Sequence, residues 1–194
     1  LRPQVDVSHN RPQKGHGEAA RIGTVLAAAV LKTMERMTPV PVQGVRASTR
    51  MVDLAPAAYG AEEVAKARAV IDNYGKPNAN PFYEQVNAFK VMDLVERGGK
   101  PFPAEVQVIA LGKSVAWVGL PGEIFVEHGR AIKVASPFPV TIIAELANGN
   151  LGYVPDRKAY AEGAYEVISA RVAAGGGEAM VASAIEQLVA LFRD

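Results

Sequence analysis

Two glycine-bearing turns each deliver one side chain able to do chemistry. The first, Leu120-Pro121-Gly122, ends in Glu123. The second, Asn148-Gly149-Asn150-Leu151-Gly152, ends in Tyr153, and Tyr160, Tyr165 and Glu166 follow it. A carboxylate can serve as a ligand or an acid/base group. A phenol titrates near about 10, so it needs a metal or another cation to act at neutral pH. Each residue also has a plain structural use. A carboxylate favours a helix N-terminus, where the backbone dipole is positive. A tyrosine at a turn packs or caps.

The three histidines make no metal cluster in sequence. His9 and His16 lie in a lead-in rich in Pro and Gly. His128 lies in a predicted helix, five residues after Glu123, which points the two side chains to different sides of it. No His-Glu-x-x-His pattern occurs. Each histidine reads as surface or structural. The run Gly175-Gly176-Gly177 lacks the Lys-Ser/Thr of a phosphate loop and the spacing of a dinucleotide fingerprint. Ser8, Ser48 and Ser114 lack the Gly-x-Ser-x-Gly elbow. Arg46 and Arg50 flank a Ser-Thr strand and could hold an anion, but a solvated edge strand explains them as well.

Glu123 and Tyr153 can meet only if strands bring them together. The apolar runs 114–120 and 139–146 each end in one of the two turns. In open α/β sheets, ligands collect outside the carboxyl ends of strands. Parallel pairing of these runs would place both residues on one rim. Runs 105–111 and 114–120 are joined by Gly112-Lys113, a hairpin signal, so that pair is expected to be antiparallel. The expected fold class is α/β, with α+β as the alternative: a mixed sheet flanked by helices.

Periodicity supplies the flanking elements. Helices are predicted over 18–37, 56–73, 82–97, 123–135, 155–163 and 178–192, and strand structure over 40–54 with Gly44 as a bulge. In the third helix Val86, Phe89 and Leu94 are expected to face inward. Residues 1–17 read as an extended lead-in (Val5, Val7) and a loop. Residues 165–173 fit strand or helix. Gly175 to Gly177 read as a hinge.

The 194 residues suffice for one substantial core. A composition 49% hydrophobic and 21% charged is ordinary for a globular protein. A net charge of +1 gives no electrostatic case for nucleic acid. With no cysteine there is neither a disulfide framework nor a thiolate metal site. No apolar run approaches the ~18 residues of a membrane span. The chain starts at Leu1 rather than Met, and an upstream segment is expected.

Leu120-Pro121-Gly122-Glu123 resembles the Pro-Gly-Glu or Ala-Gly-Glu segment of the neutral (non-lysosomal) ceramidase family. The order Asn148, Tyr153, Tyr160, Tyr165-Glu166 resembles that family's Asn…Tyr…Tyr…Tyr-Glu run, and Gly177-Glu178 through Phe192 resembles its closing helix. The similarity is firmest from about Val106 onward and looser over residues 5–30, where Pro12-Gln13-Lys14-Gly15 resembles shorter bacterial members. The resemblance implies the C-terminal part of a ceramidase-like catalytic domain, spanning 1–194. The histidine-bearing upstream part and the C-terminal immunoglobulin-like domain lie outside it.

The activity so implied is zinc-dependent cleavage of the N-acyl bond of ceramide or a ceramide-like lipid. Glu123 and Tyr153 match two of the family's zinc ligands, and Tyr165 matches a tyrosine facing the substrate amide. Two histidine ligands are expected from an upstream segment or a second chain, because neither His9 nor His16 sits in the family's histidine context. The resemblance also implies secretion or a periplasmic or cell-surface location, and peripheral membrane contact. The rival expectations are a non-catalytic binding or structural module, and a hydrolase of another N-acyl substrate on the same fold.

Overall fold

The computed structural model describes residues 15–40 and 42–193. The lead-in reading of residues 1–14, His9 included, lies outside them. The chain divides into two compact units, residues 1–40 and 41–194. In the first, α1 spans His16–Met34, and none of its residues is buried within the unit. Leu26, Val30 and Met34 are exposed.

The second unit opens with β1 (Val45–Leu54), α2 (Ala61–Asp72) and α3 (Phe82–Glu96). The strands β2 (Phe102–Leu111), β3 (Val115–Gly119) and β4 (Glu123–Ile124) follow, then α4 (Val126–Ala135), β5 (Val140–Ala144) and β6 (Tyr153–Val154). It closes with α5 (Arg157–Glu162), α6 (Tyr165–Ser169) and α7 (Gly176–Arg193). Four strands form one sheet in the order β1-β2-β3-β5. β2 runs antiparallel to both β1 and β3, and β3 runs parallel to β5. The mixed α/β class and the hairpin at Gly112-Lys113 both follow the sequence expectation. Gly44 is no bulge: it stands at φ +80° just before β1, and its carbonyl accepts from Gly112 N–H.

Alternation decides which face of the sheet is buried. Phe102, Ala104, Val106, Val108 and Ala110 of β2 point to one side with Ala116 and Val118 of β3. There they meet Met180, Ala184, Leu188 and Leu191, the helical stripe of α7. Gln187 is buried in the same layer and donates to the Val106 carbonyl at 3.1 Å. Arg50 pairs with Glu186 of α7 at 2.5 Å, and Arg46 donates to the Gly112 carbonyl at 3.1 Å.

Two expectations fail on packing. Of Val86, Phe89 and Leu94, only Leu94 is inward, while Val86 and Phe89 are 50% and 46% exposed. α3 turns Ala88 and Val91 toward Ala67 of α2 instead, and so leaves a second apolar stripe uncovered. Gly175 to Gly177 are a packing seam rather than a hinge. A Cβ at Gly175 would run into the Arg157 guanidinium, at Gly176 into Val172, and at Gly177 into the His128 ring. The seam lets α7 start directly against α4 and the segment after α6.

Candidate functional site

Glu123 does not open a helix. It opens the two-residue strand β4, which pairs in parallel with β6 so that Glu123 stands opposite Tyr153. The cause is the backbone. Glu123 N–H donates to the Gly152 carbonyl at 2.9 Å, and Phe125 N–H donates to Val154 at 3.3 Å. These bonds hold residues 123–125 extended beside β6, and α4 begins at Val126.

The loop from Glu145 to Gly152 is stitched to residues 120–124. Leu146 N–H donates to Gly122, Ala147 N–H to Leu120 and Leu151 N–H to Pro121, at 3.0, 3.1 and 3.1 Å. The Glu145 carboxylate accepts from Ile124 N–H at 3.0 Å. The loop makes its turns with Leu146 at φ 53° and Asn148 at φ 65°, in the left-handed region that Asn tolerates better than Leu. Gly122 is the point of closest approach. A Cβ there would sit 2.8 Å from the Gly152 carbonyl oxygen and 3.1 Å from Val154 Cγ2.

Register brings the two side chains together on one rim. Both are half-buried. The Tyr153 phenol faces the Glu123 carboxylate, whose pull on the phenol proton is the main reason its pKa lies above the ordinary value. Burial, the Glu123 charge, Tyr165 and Glu166 push the same way. A neutral phenol donating to a carboxylate holds a proton between two oxygens. A cation placed between them would take that proton's position.

Tyr165 joins from α6. Its ring meets that of Tyr153 edge-on, with centroids 5.8 Å apart. The residue before it, Ala164, holds φ 86° and ψ 176°, a conformation close to glycine-only. That turn is what directs α6 back across the rim. On its other side Tyr165 meets Tyr83 at 6.1 Å. Sequence reading missed Tyr83, although the adjacent aromatics Phe82-Tyr83 at the start of a predicted helix were a visible signal. Tyr165 also lines an apolar groove of about 800 Å³ between α3 and α6, walled by Phe82, Tyr83, Val86, Phe89 and Ile168.

Tyr160 is set apart from this rim. Its hydroxyl donates to the Val172 carbonyl at 2.5 Å, and burial, with Glu178 and Tyr59 adding to it, pushes its pKa up to about 12. His128 is buried with its Nε2 facing Gly177 at the start of α7. Among the described residues no group of three or more His, Cys, Asp or Glu could hold a metal ion. Glu123 and Tyr153 supply two converging oxygens, which fits half of the about four ligands zinc takes.

No family model matches the chain, and no characterised protein matches it in sequence. Solved structures do. Neutral ceramidase from Pseudomonas aeruginosa superposes with a TM-score of 0.65 over 97% of this chain, at 18% identity. A ceramidase complexed with C2 superposes with a TM-score of 0.59 over 91%, at 16% identity. The match spans 35% and 34% of those two chains, so this chain corresponds to about a third of their length. It carries the fold of part of a neutral ceramidase.

Proposed function

We propose that the chain is part of a zinc-dependent amide hydrolase that cleaves the N-acyl bond of ceramide or a ceramide-like lipid. The observation that carries the reading is the pairing of Glu123 with Tyr153 on one rim. In this reading the two oxygens are half of a metal site, and two imidazoles come from an upstream segment or a second chain. What zinc supplies when bound is acidification of water and polarisation of the amide carbonyl.

The chain's own residues do the rest. Glu123 offers a fixed negative charge and Tyr153 a phenol already turned toward it. Tyr165, its ring edge-on to that of Tyr153, offers a second phenol O–H beside the rim. A donor of this kind steadies the oxyanion that grows as an amide is attacked. The apolar groove beyond Tyr165 gives a lipid-like substrate an apolar neighbour. Secretion or a cell-surface location, and peripheral membrane contact, belong to the same proposal.

The rival reading is a non-catalytic binding or structural module. It is favoured by the absence, among the described residues, of any group of three or more His, Cys, Asp or Glu able to hold a metal ion. The deciding experiment compares residues 1–194 with a longer polypeptide that adds an upstream histidine-bearing segment. After dialysis, the longer form should retain one zinc and hydrolyse a fluorescent N-acyl sphingosine, and the shorter form should do neither. In the longer form Glu123→Ala should abolish both. Full activity without metal, or full activity of Glu123→Ala, would sink the amidase reading and leave the binding module. Activity on other N-acyl amides, but not on the sphingosine, would shift the substrate and keep the chemistry.

A further inference from the structure

The four-stranded sheet has two faces, and its own unit closes one of them. α7 and Ile132 of α4 pack on the face that carries Val106, Val108 and Val118. The other face holds the alternate residues, and register aligns them across all four strands. One row runs Val45, Leu111, Val115, Val140. The next runs Ala47, Ile109, Trp117, Ile142. Val45, Val140 and Ile142 are exposed. Ile109, Leu111, Val115 and Trp117 are half-buried, yet none of them packs against either core cluster.

The polar groups of this face are placed so that it can be covered. In the third row, Thr49, Gln107, Gly119 and Ala144, the Gln107 amide donates to the Thr49 hydroxyl at 3.1 Å. Both are thereby partnered within the sheet. The carboxylates of the face, Glu105 and Asp53, come only in the fourth and fifth rows, paired with Met51 and Pro103. The three rows nearest the Gly112-Lys113 hairpin carry no charge. A soluble chain rarely leaves so broad an apolar plane open.

We propose that this face is the contact surface of a symmetric dimer, covered by the same face of a second copy. The charge pattern selects that occupant. Three uncharged rows can meet their own image with no like charges opposed. A two-fold axis that reverses the strands leaves the carboxylates of the two copies at opposite ends. Packed sheets stand about 10 Å apart, a gap that two layers of Val, Ile and Trp side chains fill. Size sets the strength. At ~4.8 Å between strands and ~3.3 Å per residue, four strands by five residues give a plan of roughly 300 Å². Protruding side chains raise the accessible area, but it stays below the ~800 Å² per partner of a standard interface. The dimer is therefore reversible, with dissociation in the micromolar range.

The test is sedimentation equilibrium of residues 1–194 from ~1 to ~500 μM, a range that brackets micromolar dissociation. The mass should climb from 20.6 kDa toward twice that value and stop there. Trp117 is the only tryptophan, so its emission reports on the face directly. Over the same range it should shift to the blue and lose its quenching by iodide. Ile142→Lys sets a charge on a residue 39% exposed, so it should keep the fold and weaken association ~10-fold or more. Val134→Lys, at a residue 87% exposed on α4, should leave association unchanged. The Trp117 titration uses the unaltered chain and decides the matter even if Ile142→Lys misfolds. A mass fixed at 20.6 kDa, growth past two copies, or association that a folded Ile142→Lys leaves undiminished would overturn the dimer. So would a longer polypeptide that shields Trp117 while monomeric, since the face would then belong to the added segment. None of these readings involves zinc, so failure here and failure of the amidase reading are separate results.

Discussion

The Tyr153 phenol and the Glu123 carboxylate are register partners on two short parallel strands, and the carboxylate acts on the phenol proton. This closeness explains the raised phenol pKa, because loss of the proton would set a phenolate against a carboxylate.

Replacing Glu123 by Gln keeps the shape and removes the charge. The Tyr153 phenol should then ionise at lower pH, nearer the ordinary tyrosine value. Ultraviolet difference titration reads the change, and Tyr153→Phe identifies which of the six tyrosines moved. An unchanged titration curve in Glu123→Gln would mean the two side chains do not interact in solution.

Gly122→Ala tests the close approach behind that pair. The added methyl would stand 2.8 Å from the Gly152 carbonyl oxygen, so β4 and β6 must part. Overpacking of this kind costs about 1–3 kcal/mol, which urea denaturation measures. The Tyr153 titration should move down together with stability. Stability loss with Tyr153 unmoved would place the strain elsewhere.

Two groups predict opposite slopes of stability with pH. Lys90 has a folded pKa depressed to about 8 from 10.5. The unfolded chain therefore binds more protons between those values, and stability should rise with pH across that window. Tyr160 has a folded pKa raised from 10.0 to about 12, so its contribution is complete below pH 10.0 and is lost as pH climbs toward about 12. Lys90→Met should flatten the rise and Tyr160→Phe the later fall. Tyr160→Phe should also cost about 0.5–1.5 kcal/mol near neutrality, for the bond to Val172. Denaturation midpoints from pH 7 to pH 12 check both signs.

Leu188 is fully buried between α7 and the sheet. Leu188→Ala should cost about 2–5 kcal/mol. A cost under about 0.5 kcal/mol, the range of surface substitutions, would contradict the docking of α7 on the sheet.

Strands with long apolar runs were legible, and so was the Gly112-Lys113 hairpin, because alternation and turn chemistry are local signals. The parallel β3–β5 pair was legible through the two turns that end those runs. β4 was not. Glu123 and Ile124 are fixed by backbone bonds to residues far along the chain, whereas locally Pro121-Gly122-Glu123 reads as a helix start. The orientation of α3 was misread because the helix has two apolar stripes, and periodicity does not say which one finds a partner. The glycine run was misread because a hinge and a seam require the same residue. A seam shows only when the His128 ring and Val172 are in place.

The Glu123–Tyr153 register carries a consequence for tolerance to length change. Side chains alternate along a strand, so a slip of one residue in β6 would set Gly152 or Val154 against Glu123 and turn the phenol to the other side. Deleting a single residue between Ala147 and Leu151 should therefore dismantle the pair. Lengthening the connection between α4 and β5 should leave it intact, since that segment fixes neither partner.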